Sequence, residues 1–153
     1  MRTLLLAIWV LAGCSSRFAS VTSGAYDCTA LVATNTCGVP LATSMKTVEL
    51  SGGGTDVISL SAPTSAALTA APDVPWGTVQ FGAQIEPLRY LTSGNLRCGS
   101  ATAILGTQAE LTEFGGDWLR LTVLHRYIGA TSCVPSGSEP CELTFNVTCS
   151  HRN

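Results

Sequence analysis

Seven cysteines, two histidines and ten carboxylates are the side chains of this 153-residue chain whose types could do chemistry. Cysteine with histidine suggests a metal. Yet no two cysteines stand two to four residues apart, and the spacing of eight between Cys133, Cys141 and Cys149 is not that of a zinc ligand set. The same cysteines suit disulfides in an oxidising compartment, and their odd number requires a separate role for one of them. Acid–base chemistry is equally thin. His125 falls in the middle of a strand-like segment on its apolar row, His151 lies three residues from the end, and the nearby Glu110 and Glu113 fall on opposite faces of an alternating strand. Nucleophile elbows, phosphate loops, zinc-protease motifs and haem attachment sites are all missing from the sequence. The chain is therefore expected not to be an enzyme and to need no cofactor or metal.

The first fourteen residues explain the odd cysteine. Arg2 precedes an apolar run from Leu4 to Ala12, about half the length that a membrane-spanning helix needs. The run ends in Leu11-Ala12-Gly13-Cys14 and is followed by Ser15 and Ser16. This pattern resembles the lipobox of bacterial lipoproteins. The resemblance implies that residues 1–13 are a removable signal peptide and that Cys14 becomes the acylated first residue of the mature chain. Its thiol would carry a diacylglycerol thioether, and its freed amine a further acyl chain such as palmitate. Two or three chains anchor far better than one. In proteobacterial members of the family, a residue other than Asp after the lipidated Cys favours the outer membrane, and here that residue is Ser15. Residues 14–23 then read as a lipidated polar tether, and residues 24–153 as one domain.

Setting Cys14 aside leaves six cysteines, Cys28, Cys37, Cys98, Cys133, Cys141 and Cys149, enough for three disulfides in fifteen possible arrangements. Cys133 and Cys141 enclose a polar, proline-containing segment, so a local bond between them is the economical expectation. Cys28 and Cys37 likewise flank a short segment, which leaves Cys98 for Cys149.

The elements that must position these residues are strands. Helical periodicity is hard to find after residue 20. Thr47 to Ser51 and Thr55 to Leu60 alternate around Gly52-Gly53-Gly54, predicting a hairpin with Val48, Leu50, Ile58 and Leu60 on its inner face. A second hairpin runs from Ala101 to Phe114 and from Trp118 to Ile128 around Gly115-Gly116-Asp117. Its inner rows are Ala103, Leu105, Ala109 and Leu111, facing Leu119, Leu121, Val123, His125 and Tyr127. The last strand, Glu142 to Cys149, turns Leu143, Phe145, Val147 and Cys149 inward, and an early strand does the same with Tyr26, Cys28, Ala30 and Val32. Further strands are expected from Trp76 or Gly77 to about Gln84 and, more briefly, from Leu88 to Leu91. Residues 61–75, rich in Ala, Ser and Pro, read as a long loop. The expected fold is an all-β antiparallel meander of about seven or eight strands, barrel-like and disulfide-stapled, with a β-sandwich as the alternative. The excess of threonine suits the wet face of such a sheet.

Composition narrows the partners. A formal net charge of −2 and a single lysine exclude the basic stripe that nucleic acid requires. Trp76, Arg89, Tyr90 and Trp118, all near predicted strand ends, form a possible binding patch. The sequon Asn146-Val147-Thr148 falls inside a predicted strand and is not expected to be glycosylated. Tyr26-Asp27-Cys28, Thr92-Ser93-Gly94 and a late cysteine resemble the small lysozyme-inhibitor lipoproteins, although the intervening pattern departs, the chain is longer and no functional residue carries over. The expected function is that of a membrane-anchored, noncatalytic binding or structural module of the cell envelope whose partner is a protein or glycan. The alternatives are a lipocalin-like carrier of a small apolar ligand and an inhibitor of a host lysozyme or protease.

Overall fold

Period-two alternation puts every second residue of an extended segment on one face, and in this chain those faces converge on a common interior. The computed structural model describes residues 17–38, 45–61, 78–82, 88–98, 101–129 and 139–153. Eight strands follow one another: β1 Gly24–Asn35, β2 Met45–Ser51, β3 Val57–Ser61, β4 Thr78–Gly82, β5 Arg89–Cys98, β6 Ala101–Phe114, β7 Trp118–Gly129 and β8 Cys141–His151. All hydrogen-bonded neighbours are antiparallel, in the order β4-β3-β2-β1-β8-β7-β6-β5. The result is one all-β sheet nearly closed into a barrel. Its seam lies between β4 and β5, and the first and last strands pair at its centre.

The predicted inner rows are buried. Val48, Leu50, Ile58 and Leu60 line one wall, and Leu119, Leu121, Val123, His125 and Tyr127 line another, opposite Leu143, Phe145, Val147 and Cys149 on β8. The outward row of β8, with Asn146, Thr148 and Ser150, is exposed and polar. At the β2–β3 turn Gly52 and Gly54 adopt φ values of 83° and 79°, and the Thr55 hydroxyl donates to the Gly52 carbonyl at 2.6 Å.

Several expectations change. Two bulges reset the alternation. The one between Leu111 and Glu113 brings Glu113 to the same outer face as Glu110, where each carboxylate meets an arginine, Arg89–Glu110 at 3.1 Å and Arg120–Glu113 at 2.6 Å. The other, between Val32 and Thr34, accompanies a Val32 that is 42% exposed instead of buried. The short strand expected at Leu88 to Leu91 is the beginning of β5, which pairs with β6 all the way from Arg89↔Glu110 to Cys98↔Ala101. An edge strand needs no continuous apolar row, and Ser93, Gly94 and Asn95 concealed it. His151 is held as the last residue of β8, its N–H donating to the Asp117 carbonyl at 2.7 Å.

The disulfide pairing also differs. Cys28 bonds to Cys149, and Cys37 to Cys141. Cys28 and Cys149 stand directly opposite each other on β1 and β8, with Cα atoms 4.0 Å apart. Cys141 opens β8, next to the end of β1, from which Cys37 continues. The expected Cys28–Cys37 bond fails because nine residue steps of mostly extended chain separate its partners by roughly 30 Å. The Cys133–Cys141 and Cys98–Cys149 bonds fail because Cys141 and Cys149 are already engaged across the β1–β8 junction. Cys133 lies outside the described residues, as do Cys14 and most of the long loop.

Candidate functional site

Facing residues of β6 and β7 place a polar pair within the apolar interior. Thr107 and His125 stand opposite each other in the ladder, 5% and 0% exposed, and the Thr107 Oγ1 and His125 Nδ1 share a hydrogen bond of 3.0 Å. The imidazole meets the Phe145 ring edge-on, with centroids 5.8 Å apart. Burial lowers the His125 pKa from 6.5 to about 4, so the ring is neutral at physiological pH. Its Nε2 has no hydrogen-bond partner among the described residues. Among the described residues, the ring's one hydrogen-bond partner is Thr107, and no carboxylate bonds to it. Burial likewise raises the Tyr127 pKa to about 12.

The two ends of the barrel differ. At one end, residues 17–23 fold back onto the sheet in place of the extended tether that the polar sequence suggests. Phe18 is fully buried against Phe114, ring centroids 5.1 Å apart, and Val21 is 4% exposed. The Gly54 N–H donates to the Phe18 carbonyl at 2.9 Å, and the Thr22 N–H to the Gly116 carbonyl at 2.8 Å. The buried Tyr26 hydroxyl donates to the Thr22 carbonyl at 2.7 Å. Glycines permit this clasp: a Cβ on Gly53 would collide with the Val21 carbonyl, and one on Gly116 would lie 3.2 Å from the Ser20 carbonyl. Phe18 and Val21 are the two large apolar residues in that polar stretch.

Comparison with protein-family models, with curated proteins and with solved structures finds no match. The site is therefore read from geometry alone.

The capped end also holds the short connections 52–56 and 115–117. β1, β3 and β7 end, and β2, β4 and β8 begin, at the opposite end, where the Cys37–Cys141 bond lies at the β1–β8 junction. The described members of the proposed aromatic patch do not all share a face. Arg89 lies on the outer face of β5 with Glu110, whereas its neighbour Tyr90 turns inward and packs against the core. Trp118 begins β7 beyond the turn, 36% exposed, with its indole over Gly115 and the Arg120 guanidinium 5.4 Å from its ring centre. Trp76 lies outside the described residues. Among the described residues, no group of His, Cys, Asp and Glu is arranged to hold a metal ion.

Proposed function

We propose that the chain is a lipid-anchored lipoprotein of the bacterial outer membrane, held through acylated Cys14, whose barrel is a noncatalytic binding or structural module for an envelope protein or glycan. The observation that carries this reading is the split between the two ends of the barrel. The segment that continues from Cys14 closes one end, and the strands that precede the longer stretches of sequence between strands, β1, β3 and β7, all finish at the other. Inner rows filled by Tyr26, Ile58, Leu60, Phe81, Leu119 and Leu143 favour recognition at that end over a hollow lumen. The unpartnered His125 Nε2 favours the second reading, a carrier of a small ligand with one polar atom.

Mass spectrometry of the mature N-terminus tests the anchor, and the expected species is acylated Cys14, lost in Cys14→Ala. An unmodified N-terminus at another residue sinks the lipoprotein reading. A photo-crosslinking residue placed within 62–77 should capture an envelope partner that the same residue at Asp56 does not. A small apolar ligand retained by the delipidated chain in native mass spectrometry would transfer the conclusion to the carrier.

A further inference from the structure

The clasp at the capped end fixes how the barrel faces the lipid. Cys14 and Arg17 are three Cα steps apart, at most about 11 Å of chain. From Phe18 onward the backbone is bonded to the β2–β3 and β6–β7 turns, and Phe18 and Val21 are buried. A lipid on Cys14 therefore has no slack with which to lift this end away from the bilayer.

The surface presented there is amphipathic. Trp118 is 36% exposed and Val57 46% exposed. Charges of both signs surround them: Arg120 bonds Glu113 at 2.6 Å, Arg152 approaches Asp27 at 3.3 Å, and Asp56 and Asp117 lie in the turns. Balanced charge gives no strong pull toward an anionic surface. An indole with an apolar body and one N–H donor suits the headgroup layer of a zwitterionic bilayer.

We infer that the capped barrel end, comprising residues 17–23 and the turns 52–56 and 115–117, rests on the membrane with Trp118 in its headgroup layer. This inference rests on the lipid-anchor reading and commits to a phospholipid surface as the occupant. It assigns Trp118 to lipid and removes it from the partner-binding patch.

The test uses the full chain, processed and lipidated in a bacterial host and reconstituted in phosphatidylcholine vesicles with or without lipids brominated near the headgroup. Trp9 leaves with the leader, so Trp76→Phe makes Trp118 the sole indole of the mature chain. Its emission should fall at least about twofold with brominated lipid. The reverse variant, Trp118→Phe, leaves only Trp76, two residues before Thr78, which pairs with Ser61 at the end of the sheet away from residues 17–23, and should be unaffected. A variant with ten Gly and Ser residues inserted between Ser16 and Arg17 keeps both indoles and the barrel intact, and should lose most of the quenching seen in the unsubstituted chain. Protein that floats with the vesicles and carries acylated Cys14, yet shows no quenching of Trp118 or quenching of Trp76 instead, overturns the orientation while leaving the anchor standing. Protein that neither floats nor carries the acyl mass overturns both.

Discussion

His125 couples the stability of the barrel to pH. Its imidazole is fully buried, and its pKa falls from 6.5 to about 4 on folding. Below pH 6.5 the unfolded chain binds a proton that the folded chain refuses, so stability declines as pH falls and the full loss is reached near pH 4. For one group this amounts to about 3 kcal/mol. Replacing both members of the pair, in His125→Leu with Thr107→Val, leaves no orphaned partner and should be nearly neutral at pH 7 while flattening the acid slope. Urea midpoints measured between pH 7 and 4 check this, and an unchanged slope in the double variant would place the proton uptake elsewhere. The inward placement of His125 was legible from its position in the row from Leu119 to Tyr127. Its partner was not: alternation puts Thr107 on the same inward row as Leu105 and Ala109, but only the β6–β7 register sets it opposite His125.

Two disulfides across one strand pair do different work. Either bond alone closes a loop of more than a hundred residues, worth about 5 kcal/mol in the chain-entropy model. Once one is closed, the second closes only residues 28–37 with 141–149, worth about 3 kcal/mol. Replacing Cys37 and Cys141 by Ser should therefore cost about 3 kcal/mol, and replacing all four cysteines about 8 kcal/mol, read from guanidinium midpoints in nonreducing buffer. Equal losses from the first and second bond would contradict the nesting. Peptide mapping under nonreducing conditions should recover Cys28 with Cys149 and Cys37 with Cys141. The strands were legible where apolar alternation was strong, as in the β2–β3 and β6–β7 hairpins. The bond pattern was not, because it depends on which strands become neighbours. Cys28 and Cys149 already sat on inward rows, but nothing local indicated that β1 and β8 pair. The bulge after Leu111 was equally invisible, since one extra residue in a ladder leaves no mark on the alternation before it.

At the scale of the molecule, the seam falls between consecutive strands while the chain ends meet in the middle of the sheet. The Arg152 N–H donates to the Ala25 carbonyl at 2.8 Å, so the two ends of the domain lie side by side. The natural chain must therefore bring β1 and β8 together across more than a hundred residues before the sheet is continuous, a high contact order that slows folding. Cutting the chain within 83–87 and joining residue 153 to residue 17 through a short linker would turn the barrel into an uninterrupted series of hairpins, β5 through β8 and then β1 through β4. Such a circular permutant, compared with the leaderless chain under reducing conditions, should keep the β-rich circular dichroism spectrum and refold at least tenfold faster in stopped-flow measurements. It would also shrink the loop closed by Cys28 and Cys149 to well under thirty residues, reducing that bond's entropic contribution to roughly 3 kcal/mol. The natural order thus trades folding speed for end-to-end locking: the two cross-links that join β1 to β8 tie together the strands that carry the two ends of the domain.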